Sequence, residues 1–234
     1  MQRVRGFTLI ELLIAISLMA LMTLLGWRGL DGISRAQVQL QQHADDVLAL
    51  QATLAQWGVD LDAIAEQPGM PSLDWDGRTM RMVRRSADAA DAGLLVVAWA
   101  RRSADAQLMR WQSPVLHTRT ELTQAWQWAQ LWVQTPSDAD RLREVRTVAL
   151  EAWQIYYFRG NTWSNPLSSA GTADATPAPA SAAASAPVAT NPVAGLANNT
   201  LPEGVRLQLT LAPGQAISGM LTRDWVRGQL GGGQ

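Results

Sequence analysis

Gly6-Phe7-Thr8-Leu9-Ile10-Glu11, continuing as an apolar run to Trp27, is the stretch around which the rest of this chain is organised. The 21 residues from Phe7 to Trp27 are mostly Leu, Ile, Met and Ala. At about 1.5 Å rise per residue, a helix of that length spans the roughly 30 Å hydrocarbon core of a bilayer. One charge interrupts it, Glu11. A carboxylate near the start of a membrane helix costs on the order of 2.5–3.5 kcal/mol by insertion scales and more when left unpaired, so Glu11 demands a partner and is a functional candidate. Arg3 and Arg5 precede the run, and by the positive-inside rule they hold residues 1–6 in the cytoplasm and send the chain beyond Trp27 outward.

Two simpler readings of the same stretch fail on particular residues. A secretory signal peptide has a shorter apolar core followed by a small-residue cleavage site and does not carry a Glu inside that core. A plain signal anchor accounts for the span, but not for Glu11 or for the Gly6-Phe7 junction.

The 234 residues are enough for one membrane helix and one medium-sized folded domain. A formal net charge of −1 excludes a global field that would favour nucleic acid. The absence of cysteine leaves stability outside the membrane to packing, and removes thiolate catalysis and Cys-based metal sites.

Beyond Trp27 the helical pattern continues. Ile33, Leu40, Val47, Leu54 and Leu61 recur every seven residues, Leu50, Trp57 and Ile64 thicken the same face, and Gln37, Gln39, Gln41, Gln42, Asp45, Asp46 and Gln56 lie between them. The pattern predicts one helix running out of the membrane into an amphipathic segment. Its apolar stripe packs on the chain's own sheet, the reading favoured for the distal part because the heptad row makes a weak coiled-coil seam, or pairs with helices of other subunits, and the two are compatible on different faces. Gly26, Gly29 and Gly32 each cost about 1 kcal/mol relative to Ala and invite a bend or local melting; Pro68, Gly69 and Pro71 end the helix. The texture then turns to strands over Thr79–Arg84, Leu94–Ala100, Gln107–Trp111, Val148–Phe158, Val205–Leu211 and Ile217–Val226, with a helix expected over Thr120–Gln134. Residues 165–200, rich in Ala, Pro, Ser and Thr with almost no charge, have too little to bury to offset their ordering entropy and are expected to form a flexible insertion between strands.

The N-terminal residues Gly6, Phe7, Thr8-Leu9-Ile10 and Glu11, behind a short basic leader, resemble those of type IV prepilins and of the pseudopilins of type II secretion. Within that superfamily, Trp27-Arg28-Gly29-Leu30-Asp31, Tyr156-Tyr157-Phe158, Asn161-Thr162-Trp163, the run Leu201 to Leu207 and Leu221-Thr222-Arg223-Asp224-Trp225 look like the J-type minor pseudopilin. The resemblance implies cleavage by a prepilin peptidase between Gly6 and Phe7, N-methylation of Phe7, and pairing of Glu11 with the N-terminal amine of a neighbouring subunit. It also implies a place among other minor pseudopilins in a hetero-oligomeric tip complex that initiates or caps a periplasmic pseudopilus, served by an inner-membrane assembly platform. Retention of Glu11 weighs against the tip-most subunit, which typically lacks that acid. The alternatives are a minor pilin of a type IV pilus and a membrane-anchored periplasmic binding module that never polymerises.

Little else in the sequence points to chemistry. His43 and His117 lack metal-site spacing. Asp74-Trp75-Asp76-Gly77 lacks the remaining ligands of a calcium loop and reads as a turn. No nucleophile elbow or phosphate-binding loop occurs. Arg84-Arg85 and Arg101-Arg102, close to Trp99 and Trp111, read as solvated strand edges in preference to a stacking surface for single-stranded nucleic acid. The expectation is therefore a non-enzyme without cofactor or metal, of α+β, pilin-like class. It comprises a leader 1–6, a membrane half-helix 7–29, an outer half-helix 30–66, a head of antiparallel sheet (one sheet or two small ones) over 67–164 and 201–229, and the insertion 165–200.

Overall fold

The computed structural model describes residues 8–104, 106–167 and 200–228. Its first element is a single helix, α1 (Leu9–Asp62). Thr8 caps it in extended conformation and forms a capping box with Glu11, so the orphan amides of the first turn gain side-chain acceptors. The helix continues without interruption through Gly26, Gly29 and Gly32, contrary to the expected melting. Good helix formers such as Leu24, Leu25 and Leu30 surround these glycines, and propagation past a glycine costs far less than starting a helix anew. At its other end α1 stops at Asp62, short of the expected residue 66 and of the proline signal. Residues 63–65 are instead taken up by a sheet edge: Ala65 N donates to Val83 O at 2.9 Å and Arg85 N to Ala63 O at 3.0 Å.

Two antiparallel sheets form the head. The first runs in chain order through β1 (Leu73–Trp75), β2 (Thr79–Arg85), β3 (Leu94–Arg102), β4 (Gln107–Gln112) and β5 (Glu144–Ala149). Between β4 and β5 the chain forms α2 (Arg119–Leu131) and the short α3 (Asp138–Arg141). The second sheet comprises β6 (Ala152–Arg159), β7 (Thr162–Ser164), β8 (Gly204–Leu211) and β9 (Gly219–Val226), in the order β7-β6-β8-β9. The segment Val148–Phe158, expected as one strand, is thus two strands in different sheets. The backbone changes partner between adjacent residues: Leu150 N donates to Ala106 O, whereas Glu151 N donates to Thr210 O on β8. Of the expected insertion, residues 168–199 lie outside the described residues.

The first sheet is covered on both faces. One face, with Met80, Met82, Val97, Trp99 and Leu108, shares a core with Leu50, Trp57 and Leu61 of α1 and with the inner face of the second sheet. The other face, with Val83, Val96, Ala98, Met109 and Trp111, packs on Leu122, Trp126 and Ala129 of α2. This is why β2 and β3 are buried almost end to end, whereas β8 keeps the alternation of a strand with one face covered.

Arginines inside such strands need acceptors. Arg81 finds them in the carboxylate of Asp74, which it ion-pairs, and in Trp126 O at 3.2 Å, with its guanidinium 4.8 Å above the Trp126 ring. Arg102 is bound by both oxygens of Glu144, at 3.0 and 2.6 Å, and Trp132 Nε1 donates to the same carboxylate. Asp140, buried at the start of α3, accepts from Trp111 Nε1, Trp128 Nε1 and the backbone and hydroxyl of Ser137.

These two acids give the head a pH dependence of stated sign. Burial raises the pKa of Asp140, but hydrogen bonds from Ser137, Trp128 and Trp111 outweigh it and hold the carboxyl below the usual aspartate value; for Glu144, burial is likewise outweighed by hydrogen bonds from Arg102 and Trp132. A depressed folded-state pKa contributes stability that is complete above the unfolded value and is lost as the pH falls through the folded one. The melting temperature should therefore drop on acidification below about pH 4. Asp140→Asn should start from a lower plateau and show a flatter decline over that range, as read by thermal melts at a series of pH values.

Candidate assembly anchor

Thr8 and Glu11 organise the start of α1. Glu11 Oε2 accepts from Thr8 N and Thr8 Oγ1, each at 3.0 Å, and Glu11 N reaches back to Thr8 Oγ1 at 3.4 Å. The carboxylate thus sits at the helix N-terminus, where the macrodipole favours negative charge. Part of the partner demanded by Glu11 is supplied within the chain. The expected cleavage and methylation residues, Gly6 and Phe7, lie outside the described residues.

From Leu9 onward none of the described residues covers the apolar run. Its most apolar 18-residue window has a mean hydropathy of 2.3 and none of it is buried. Leu9, Ile10, Leu12, Leu13, Ile14 and Trp27 are all more than half exposed. The core helix of a water-soluble domain would bury such residues; this length of α1 is instead long and apolar enough to cross a membrane. The exposure extends to Ile33 and Leu40 of the heptad row, while Leu54 and Leu61 of the same row enter the head. At about 1.5 Å per residue the helix is about 81 Å long, and only its last turns belong to the globular part.

A buried ionic cluster fixes those last turns. Asp60 is fully buried, and its carboxylate accepts from Arg84 Nη1 at 2.5 Å, Arg110 Nε and Nη2 at 2.7 and 2.8 Å, Trp99 Nε1 at 2.9 Å and Gln56 Nε2 at 3.0 Å. One acid of α1 thereby gathers donors from β2, β3 and β4. Outside the core, Trp225 Nε1 donates to Asp62 at 2.7 Å, Arg227 pairs with Glu66 at 2.5 Å just past the helix, and Ala216 N donates to Asp46 at 3.3 Å, lacing the second sheet to α1. An apolar anchor and a head are thus joined through one helix whose end cannot slide without breaking charge pairs.

The Asp60 cluster was missed in the sequence. Arg84, expected at a solvated strand edge, is instead buried against Asp60, and its neighbour Arg85 faces solvent. The available signal was Asp60 at a core position of the helical pattern, three residues after Trp57, together with arginines inside strands too apolar to be solvated. His117 Nε2 lies 3.1 Å from Asp91, both largely exposed, and His43 is an exposed helix residue. Asp76 accepts from the amides of Arg78 and Thr79, at 2.8 and 2.7 Å, with Gly77 at φ +90°. Asp74, held by Arg81, and Trp75 belong to β1, so the turn expected over Asp74–Gly77 is confined to Asp76 and Gly77, where β1 passes into β2.

Among solved structures, a chain of the GspK-GspI-GspJ complex from the type 2 secretion system of enterotoxigenic Escherichia coli aligns with this one over 79% of its length and 99% of that chain, with a TM-score of 0.45 and 14% identity. A likeness at that level bears on neither partners nor activity. No curated protein matches the chain. Residues 1–27 match the prokaryotic N-terminal methylation motif; the part of it from Leu9 onward is exposed among the described residues. In its N-terminal segment, then, the chain is similar to prokaryotic proteins that carry an N-terminal methylation motif.

Proposed function

We propose that this chain is a minor pseudopilin of type II secretion, of the J type. In this reading α1 anchors it in the inner membrane with its N-terminus in the cytoplasm, and its head stands in the periplasm within a tip complex of minor pseudopilins that initiates or caps the pseudopilus. The observation that carries the reading is the methylation motif over residues 1–27, placed on an uncovered apolar helix that ends as the spine of a folded head. Prepilin peptidase cuts between Gly6 and Phe7 and methylates Phe7, Glu11 pairs with the new amine of a neighbour, and the inner-membrane platform adds the subunit to the fibre. The protein works by assembly, without catalysis, cofactor or nucleic acid.

Two measurements test it. Intact-mass analysis of the membrane-extracted protein should show a chain starting at Phe7 and bearing one added methyl group; a retained Met1, or a cut beyond Trp27, refutes processing at the junction. Co-purification of the detergent-solubilised full chain should recover other minor pseudopilins. The motif is equally at home in a minor pilin of a type IV pilus, and recovery of type IV pilins in their place would decide for that second reading.

A further inference from the structure

Where the chain changes sheets, between β5 and β6, the structure opens a cleft of about 1380 Å³. Five arginines line it: Arg78 from the β1–β2 turn, Arg101 and Arg102 from the end of β3, Arg141 from α3 and Arg146 from β5. Among the described residues the acids that line it are Glu144 and Glu151, and Glu144 is already held through both oxygens by Arg102. The chain as a whole carries a formal charge of −1, so this concentration of positive charge is local.

The arginines differ in how they are engaged. Arg101 donates through Nε to Leu150 O at 2.8 Å, and its Nη groups make no hydrogen bond among the described residues. That single bond orients the guanidinium while leaving its outer donors for a ligand. The Arg78 side chain makes no hydrogen bond among the described residues and is exposed. Arg141 is exposed and acts on Glu144 only through its charge. Guanidinium groups present planar pairs of donors that match a carboxylate in bidentate geometry. Val133, Pro136 and Trp153 supply apolar wall between them. The cleft exceeds the roughly 300–1000 Å³ of small-molecule sites and lies open at the surface, which suits an extended chain better than a single small anion.

We infer that this cleft is a docking site for an acidic polypeptide segment of a partner protein, whose Asp or Glu side chains are bound by Arg78, Arg101 and Arg141. The inference goes beyond the proposed function and does not rest on it.

The test is a fluorescence-anisotropy titration of the full chain, in a neutral detergent, against a labelled peptide of alternating Glu and Ala, with the Gln-for-Glu peptide as control. Saturable binding of the Glu peptide alone is expected, weakening as salt shortens the Debye length. Reversing two cleft charges, Arg78→Glu with Arg141→Glu, should weaken it by about tenfold or more, since each 1.4 kcal/mol is a factor of ten. Neither side chain carries a hydrogen bond that the fold needs, so the melting temperature should not move. If it does fall, Arg78→Gln alone, on an exposed turn, decides by the same titration and should weaken binding severalfold. Absent saturation, equal binding of the Gln peptide, or binding indifferent to the substitutions overturns the inference. Preferential binding of inorganic phosphate or of phosphatidylglycerol vesicles overturns it as well, in favour of an anion or lipid-headgroup site.

Discussion

Asp60→Ala is expected to lower the unfolding free energy by about 3–5 kcal/mol, because removing one member of a buried charge cluster leaves the others unpaired in low dielectric. The geometry makes this the most exposed point of the head's energetics. Arg84 and Arg110 are both buried, and Asp60 is the acid that serves both; Trp99 and Gln56 lose an acceptor in the same stroke. Arg110→Met should cost less, since Asp60 then keeps Arg84, Trp99 and Gln56, although Gln112 also loses its contact with the guanidinium. Urea unfolding followed by tryptophan fluorescence measures both, and a double-mutant cycle between positions 60 and 110 isolates their coupling. A loss of under about 1 kcal/mol for Asp60→Ala, ordinary for an unremarkable substitution, would show that the cluster is not what holds α1 to the sheet. Replacing Asp60, Arg84 and Arg110 together by apolar residues of similar size should restore much of the stability, as buried ionic groups often yield to packing. The helix would then have lost the charges that fix its register against β2, β3 and β4.

Glu11→Ala is expected to leave the head untouched and abolish assembly. Among the described residues Glu11 bonds only to Thr8, and it lies far along α1 from that helix's first buried residue, Leu50, so urea unfolding of the head should shift by less than about 0.5 kcal/mol. Removing the carboxylate also removes the on-the-order-of 2.5–3.5 kcal/mol penalty for inserting it, so membrane association should not weaken. What is lost is the attraction to a neighbour's amine, about 4 kcal/mol for opposite unit charges 4 Å apart at an effective dielectric of 20. Even a third of that is about a tenfold change in association. Recovery of partner subunits from detergent extracts, and secretion by cells that carry the variant, are the readouts. Glu11→Gln distinguishes charge from shape: it keeps an acceptor for Thr8 and loses the charge, and should fail as Ala does. Undiminished co-purification with either variant removes Glu11 from the assembly mechanism and favours an anchored head that does not polymerise.

Much of the architecture is written in short-range pattern. The apolar run after Phe7 and the heptad row through Leu61 foretell α1, because a helix shows its periodicity within a few turns. Val205, Leu207, Leu209 and Leu211 against Arg206, Gln208 and Thr210 foretell β8, because a strand with one covered face alternates. Leu122, Trp126 and Ala129, spaced to share one helical face, foretell α2; Trp128 lies on the more exposed side of that helix. Glu11, the one acid in an otherwise uncharged span, marked the candidate anchor by its cost alone.

What the sequence by itself determined, then, is the class of the chain: a long apolar helix continuous with an antiparallel α+β head, and Glu11 as the one acid within the apolar run. Tertiary structure decided the rest, because the interactions concerned join residues far apart in the chain. Whether Val148–Phe158 is one strand or two depends on Ala106 and Thr210, which capture Leu150 and Glu151 for different sheets. Where α1 ends depends on the open edge of β2, which takes residues 63–65 before the prolines can act. Whether Arg84 and Arg110 meet water or a carboxylate depends on Asp60, brought to them from 24 and 50 residues away. Local pattern records which side of an element avoids water; only the packed molecule supplies the partner that a buried charge requires.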